Sequence, residues 1–231
     1  MKKIVPLLAI AGVGSSQAVL FTAGELDFGV ILEGSDFELE AHDVDNDIEY
    51  EVSEITVLAG ADREFTVTSD LPGAGVVTGE SLWILPQENV PGVPFVALAS
   101  EELLDIGGGA SDWSTNITFT LGSVTSPSGS GTFSVWTTDG LGANTFIFSS
   151  TNPGATDNGN AFESTFGHDH VNWGFTEPGD WSVELTASGT HNTFGPLSAT
   201  ETLTFSVIPE PSTGMMALLS VVGLSLVRRR K

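Results

Sequence analysis

Apolar and polar residues alternate with a period of two in several stretches of the chain. The alternating stretches are residues 47–52, 65–68, 117–121, 181–188 and 202–207. Successive side chains of a β-strand point to opposite faces, so each stretch would have one apolar face and one face of small polar or acidic residues. The pattern therefore predicts strands that are half buried in sheets with one solvated face.

Turn-forming residues separate the predicted strands. They are Pro72-Gly73, Pro91-Gly92, Gly107 to Gly109, Ser126 to Gly131, Asp139-Gly140, Pro153-Gly154 and Pro178-Gly179. The one helix that the pattern favours is one or two turns from Ser100, with Glu101 and Glu102 near its positive end. About ten short strands with almost no helix predict an all-β fold, namely an antiparallel β-sandwich of immunoglobulin-like or jelly-roll-like type.

Residues 1–18 have the three parts of a secretory signal peptide. Lys2 and Lys3 form a positive n-region, residues 4–13 are apolar, and Ser16-Gln17-Ala18 places small residues at the −3 and −1 positions. The apolar run is too short to span a bilayer. We therefore expect signal peptidase to cleave after Ala18 and the protein to be exported.

Residues 209–231 combine a short motif, an apolar run and a basic end. Pro209-Glu210-Pro211 is followed by the nearly apolar residues 214–227 and by four terminal cations, 228–231. The run is shorter than the about 20 residues of a spanning helix, and the cations favour the cytoplasmic side. This order resembles the PEP-CTERM sorting signal. The resemblance implies a transient inner-membrane anchor, processing by an exosortase, and delivery to the cell surface or exopolysaccharide matrix of a Gram-negative-type bacterium.

The body between these signals, residues 19–208, is strongly acidic. Of the 30 Asp and Glu residues only Glu210 lies outside it, and Arg63 is its only Lys or Arg. This balance excludes nucleic acid as a partner, because phosphate binding requires clustered Lys and Arg. It favours solubility in a salty medium or the collection of divalent cations. We interpret the body as one domain, with residues 107–111 as the place for a hinge if there are two halves.

Sequence motifs of catalysis are missing. The chain has no cysteine, no Gly-x-Ser-x-Gly turn and no phosphate-binding glycine loop after a predicted strand. A glycosidase-like pair of carboxylates stays open, but the abundance of acids makes any such pair uninformative. We therefore expect a non-enzymatic protein.

The densest acidic stretch begins at His42. Asp43, Asp45, Asp47 and Glu54 have the spacing of positions 1, 3, 5 and 12 of an EF-hand, but Ile48 occupies the position of its glycine. The alternatives are a looser Ca²⁺ site at a loop edge and a solvated acidic loop without a ligand.

Residues 167–181 contain two of the four histidines, His168 and His170. Residues i and i+2 of a strand face the same side, so both imidazoles can approach one ion, and Asn172 continues that parity. The other interpretation is structural, with both rings bonded to the backbone. His191, in a predicted turn, is expected to be exposed.

This stretch resembles the choice-of-anchor M domain of surface-anchored proteins, whose signature is His-x-His-x-Asn-Trp-x-Phe followed by Pro-Gly and an aromatic residue. The matching residues are His168, His170, Asn172, Trp173, Phe175, Pro178, Gly179 and Trp181. Weaker matches are Phe21-Thr22-Ala23-Gly24 with Leu26-Asp27, Trp83-Ile84-Leu85-Pro86-Gln87, and Gly131-Thr132-Phe133-Ser134-Val135. The resemblance implies a β-rich surface domain and suggests metal handling.

One position departs from the family pattern, because Glu25 stands where the family has histidine, two residues before Asp27. We expect one divalent site formed by His168 and His170 and completed by Glu25, Asp27 or His42. Imidazoles favour Zn²⁺ or Mn²⁺ over Ca²⁺. Because ligation needs neutral imidazole, affinity should fall below about pH 6.5.

Three functions follow from the sequence. The first is a non-enzymatic surface or matrix protein, and the second is a metal-binding surface protein. The third is a carbohydrate-binding module that stacks sugars on exposed Trp83, Trp113 or Trp136.

Overall fold

The computed structural model describes residues 18–105 and 109–209. The predicted signal peptide up to Gln17 lies outside the described residues, as do Glu210, Pro211 and the remainder of the predicted sorting tail. Residues 106–108, which include the first two residues of the predicted hinge, also lie outside them.

The described residues form mostly β-strands, which confirms the predicted all-β class. In chain order the strands are β1 Val19–Phe21, β2 Gly24–Glu33, β3 Asp36–Asp43, β4 Ile48–Glu51, β5 Ile55–Ala59, β6 Glu64–Thr66, β7 Ser81–Leu85, β8 Pro94–Ala99, β9 Ile117–Thr125, β10 Phe133–Thr138, β11 Asn144–Ser149, β12 Ala161–Ser164, β13 His168–His170, β14 Asn172–Phe175, β15 Gly179–His191 and β16 Gly195–Val207.

Helical structure in the described residues is limited to short pieces. The helix expected near Ser100 is a single turn, α1, Glu102–Asp105. It packs over β2. Four 3-10 turns lie at Val52–Glu54, Ala61–Arg63, Ala110–Asp112 and Pro153–Ala155. No helix in residues 18–105 and 109–209 has the length and apolar character needed to cross a membrane.

The strands assemble into three sheets, with orders β1-β5-β16-β15-β9-β12, β11-β10-β14-β7-β6 and β13-β8-β2-β3-β4. Most neighbours are antiparallel, as predicted. The pairs β1–β5, β5–β16 and β2–β8 run parallel, so a purely antiparallel arrangement is wrong. Parallel neighbours need a crossover connection, and strand alternation carries no information about such long-range pairing.

Each sheet combines strands from both sides of the predicted hinge. The pairs β5–β16, β7–β14 and β8–β13 join the N-terminal and C-terminal parts of the chain. One aromatic cluster joins the sheets to each other. The ring of Phe205 lies 5.0 Å from Phe175, 5.6 Å from Trp173 and 6.3 Å from Phe28, measured between centroids. All three sheets therefore share one core.

Two residues predicted to be buried lie instead at the surface. Ile48 is 42% exposed and Phe65 is 44% exposed. Their strands, β4 and β6, are at the edges of their sheets. The alternation predicted the strands correctly but not which strands are central.

The tryptophans proposed as sugar platforms are buried, so the prediction that they are exposed is wrong. Trp83, Trp113 and Trp136 are exposed by 4%, 7% and 3%. Trp136 belongs to a smaller second core, on which Val67, Leu82 and Phe146 also pack. His191 is buried as well, at 7% exposure, against the expectation of an exposed turn. It packs edge-on to Trp113, and its Nδ1 accepts hydrogen bonds from the backbone of Thr193 and Phe194.

Candidate metal centre

One face of the third sheet carries the candidate ligands. His168 and His170 of β13 pair with Ala99 and Ala97 of β8, and Ala97 pairs in turn with Asp27 of β2. Paired residues share a face, so the histidines and the β2 acids point to the same side. The alanine methyl groups of β8 leave the space between β13 and β2 open. β13 and β2 are two strand spacings apart, roughly 10 Å, and the histidine side chains of β13 and the acidic side chains of β2 span this distance.

The side chains converge closely above β8. Glu25 Oε1 lies 3.2 Å from Nε2 of His168 and 3.2 Å from Nε2 of His170. Asp27 Oδ1 lies 3.1 Å from Nε2 of His168. Glu25, His168 and His170 form one group of atoms with the spacing of metal ligands, and Asp27, Glu101 and His168 form another. A tetrahedral ion bound at about 2.0–2.1 Å separates its ligands by roughly 3.3 Å, close to these distances.

Three atoms at this point are buried and make no hydrogen bond. They are Oδ1 of Asp27, Nε2 of His168 and Nδ1 of His170. Asp27 Oδ1 and His168 Nε2 lie 3.1 Å apart, the distance of an ion pair when His168 is protonated, but the pair does not have the geometry of a hydrogen bond. Buried polar atoms are nearly always hydrogen-bonded, because leaving them unpaired costs about 1–3 kcal/mol. Asp27 Oδ1 and His168 Nε2 therefore fit a cation that both would coordinate, and His170 would approach it with its other ring nitrogen, Nε2, which lies beside Glu25.

Glu101 orients the His168 ring from the turn between β8 and α1. Its Oε1 lies 3.1 Å from Nδ1 of His168. A carboxylate only accepts, so Nδ1 carries the proton and donates, and the other nitrogen, Nε2, faces Glu25 and Asp27. An outer carboxylate that fixes the tautomer in this way is typical of metal-ligating histidines. From the sequence, Glu101 was predicted only to lie near the start of a helix. Its contact with His168 depends on the pairing of β8 with β13, which brings distant parts of the chain together.

The two histidines have opposite pKa shifts. The adjacent Asp27 carboxylate, helped by Glu101, raises the pKa of His168 to about 9 despite its burial. Burial, helped by the charge of His168, lowers the pKa of His170 to about 4. A metal must therefore displace a proton from His168. Protons compete with the metal for His168 already at pH values well above 6.5, the ordinary pKa of histidine. Burial also raises the pKa of Glu25.

The backbone of Glu25 is held by the neighbouring acidic loop. Its N–H donates to Asp45 Oδ2 at 3.2 Å, and its carbonyl accepts from Val44 N–H at 3.1 Å. Gly24 permits this approach, since it has a φ of +98° and a Cβ there would lie 2.6 Å from Asp45 Oδ2. The acidic loop thus supports Glu25.

His42 lies outside both groups of potential ligands. It pairs with Asp27 across β2 and β3, but its Nε2 lies 3.6 Å from Asp47 and its Nδ1 lies 3.6 Å from Glu102. Of the three residues expected to complete the site, Glu25 and Asp27 meet the histidine pair and His42 does not.

The EF-hand-like spacing does not bring its acids together. Asp43 accepts hydrogen bonds from the backbone and side-chain amides of Asn46, and Asp45 is bound to Glu25. Neither acid belongs to a group of potential metal ligands within the described residues.

The remainder of the histidine stretch has structural contacts. Asn172 begins β14 in a different sheet, where its amide donates to Gln87 and to the carbonyl of Trp136. Trp173 Nε1 donates to the Val96 carbonyl of β8 at 3.2 Å. The Trp173 bond connects the second and third sheets beside β13, whereas the Asn172 bonds stay within the second sheet. Although Asn172 is two residues beyond His170, it therefore does not lie at the metal centre.

Comparison with known proteins adds no relative. No protein-family model matches the chain. No curated protein and no solved structure matches it either. The resemblances to the choice-of-anchor M domain and to the PEP-CTERM signal therefore stay predictions, and the candidate function depends on the geometry of Glu25, Asp27, His168 and His170.

Proposed function

We propose that this protein is an exported, non-enzymatic surface protein that binds one divalent cation between β13 and β2. Glu25, His168 and His170 are the central ligands, and Asp27 is the fourth. The observation that carries the proposal is the pair of buried atoms Asp27 Oδ1 and His168 Nε2, which lie 3.1 Å apart without a hydrogen bond. A cation coordinated by both would satisfy them.

The ligand chemistry selects the class of metal. Two imidazole nitrogens and two carboxylates suit Zn²⁺ or Mn²⁺, whereas Ca²⁺ prefers six to eight oxygen ligands. The cation also neutralises a concentration of negative charge, because Glu25, Asp27 and Glu101 all lie around His168. When bound, the ion would join residues of β2 and β13 that are far apart in the chain.

The proposal includes a β-sandwich body and processing at both ends. Signal peptidase would cleave after Ala18, and an exosortase would act near Pro209. β1 begins at Val19 and β16 ends at Val207, so neither cleavage would interrupt a strand. Delivery to the cell surface or exopolysaccharide matrix follows from this processing. Intact-mass measurement of protein from its native host tests it, since Arg228 to Lys231 should be absent from the mature form.

Isothermal titration of the purified protein with Zn²⁺ and Mn²⁺ tests the metal site. We expect one saturable site in the wild type and its loss in a His168→Ala, His170→Ala double variant. The His42→Ala variant is the matched control, because it removes a histidine from the same sheet face but outside the ligand group. Equal affinity of wild type and double variant would overturn the proposal and leave only the diffuse acidic surface as a binder.

A further inference from the structure

The two histidines of the candidate metal centre are held in different ways. His168 has Glu101 as a hydrogen-bond partner at its Nδ1, 3.1 Å away. Nδ1 of His170 is buried without a hydrogen-bond partner among the described residues, and the contact of His170 with Glu25 is made by its other ring nitrogen, Nε2. The torsion angle that rotates a histidine ring has a broad range when nothing restricts it. The direction of His170 Nε2 therefore depends on another contact of the ring.

Phe95 makes this contact. Its ring is stacked on the imidazole of His170, with the two centroids 3.5 Å apart and the two planes inclined by only 12°. The ring of His168 also lies near this imidazole, at 4.5 Å between centroids, but it is tilted by 42° and is not part of the parallel stack. The overlap with Phe95 is therefore the contact that fixes the plane of the His170 ring.

The strand register explains why Phe95 reaches His170. Phe95 lies on β8 two residues before Ala97, which pairs with His170 of β13. The two rings are therefore diagonal neighbours on one face of the sheet, a relationship within reach of aromatic side chains. On its other side Phe95 pairs with Glu25 of β2. Among the β8 residues of this face, Ala97 and Ala99 leave space for the ligands, whereas Phe95 occupies the end of the row beside Glu25 and His170.

The close overlap of the two rings has a consequence for the cation-bound form. The faces of an aromatic ring carry negative charge, so two uncharged rings prefer offset or edge-on arrangements to direct overlap. A cation bound at Nε2 would draw electron density out of the His170 imidazole. An electron-poor ring over the face of Phe95 would then be attracted to it as in a cation–π contact. The stack should therefore be stronger with the cation bound than without it.

We infer that Phe95 is the positioning residue of His170 and that its ring stabilises the cation-bound form of the metal centre. The inference rests on the proposed metal-binding function. Phe95 supplies no ligand atom and acts through His170, as Glu101 acts through His168. The two imidazoles are thus oriented by different physical means, one by a hydrogen bond to a carboxylate and the other by stacking on an aromatic ring.

A series of fluorinated phenylalanines at position 95 of the full protein tests the inference. One, two or three fluorine atoms keep the ring flat and nearly unchanged in size, but they progressively remove the negative charge of its face. Zn²⁺ affinity, measured by competition with a chromophoric chelator, should fall with each added fluorine, by about tenfold over the series. Phe95→Leu keeps an apolar side chain without a flat face and should lose at least as much. Phe95→Tyr keeps the aromatic face and should retain the affinity.

The matched control is Phe162→Leu, which makes the same change at a partly buried phenylalanine of β12 in the first sheet and should leave Zn²⁺ affinity unchanged. If Phe95→Leu does not fold, the fluorinated series still provides the test, because it keeps the shape of the ring. Equal affinities across that series, or equal losses in Phe95→Leu and Phe162→Leu, would overturn the inference and leave the proposed metal site intact. Absence of saturable Zn²⁺ binding by the wild type would instead overturn the proposed function, and the inference with it.

Discussion

Oδ1 of Asp27 and Nε2 of His168 lie 3.1 Å apart, and both atoms are buried without a hydrogen bond. Asp27 is 4% exposed, so water provides little compensation for its charge. Burying a carboxylate without a partner costs free energy. In the metal-free protein, the positive charge of His168, whose pKa is raised, offsets this cost. A divalent cation would supply this compensation more completely.

Asp27→Asn should weaken Zn²⁺ binding by at least about tenfold, because it removes one charged ligand and keeps the shape of the side chain. Titration calorimetry measures the change. Asp169→Asn is the matched control: Asp169 lies between the two histidines on β13, points to the opposite face and accepts a hydrogen bond from Ser164. Equal losses in both variants would indicate a general effect of surface charge.

Glu101→Ala should weaken metal affinity by about 10- to 100-fold without removing a ligand atom of the central group, because Glu101 orients the His168 ring. Glu101→Gln should restore part of the affinity, since its amide oxygen still accepts from Nδ1. Competition with a chromophoric chelator measures both. Glu102→Ala, one residue further along and directed to His42, is the control. Unchanged affinity in Glu101→Ala would show that the ring is held by packing alone.

The pH dependence of stability should contain a contribution from Glu40. Burial first, and then the charges of Glu49 and Glu102, raises the pKa of Glu40 to about 8 from an ordinary value of 4.5. The folded protein therefore keeps a proton that the unfolded chain releases. This contribution to stability is complete below about pH 4.5 and is lost as the pH rises to about 8.

Glu40→Gln removes that proton equilibrium. As the pH rises between these limits, the free energy of unfolding of the variant should increase relative to that of the wild type. The total increase should be on the order of 1–3 kcal/mol after allowance for solvent screening. Urea denaturation at several pH values measures the difference. Glu38→Gln, an exposed change on the same face of β3, should show little of it. A constant difference between wild type and Glu40→Gln would contradict the raised pKa.

Stability should rise with added NaCl. The acids of the body repel one another with Arg63 as the only Lys or Arg among them, and salt screens such repulsion beyond about 10 Å at 0.1 M. Thermal denaturation at low and high NaCl, with EDTA present, measures the effect. In the absence of EDTA, Zn²⁺ should stabilise at far lower concentration than NaCl, because it binds a defined site. A melting temperature that is indifferent to salt would contradict the charge argument.

The sequence by itself determined the structural class and one local feature of the site. Alternation in residues 181–188 and 202–207 predicted strands correctly because side-chain direction in a strand depends only on position along the backbone. The same rule placed His168 and His170 on one side, as β13 shows. Glu25 and Asp27 were selected by their position in a resembling pattern, and periodicity alone would not have separated them from the other acids.

Tertiary structure decided which of these residues meet. Ala97 and Ala99 lie between the histidines and the acids because β8 is inserted between β13 and β2, a strand order that local alternation cannot specify. The same long-range pairing gave Glu101 its contact with His168 and kept His42 outside. Burial of Trp113 and exposure of Ile48 were also decided at this level, since coverage by a second layer depends on how sheets pack and not on the residues next in the chain.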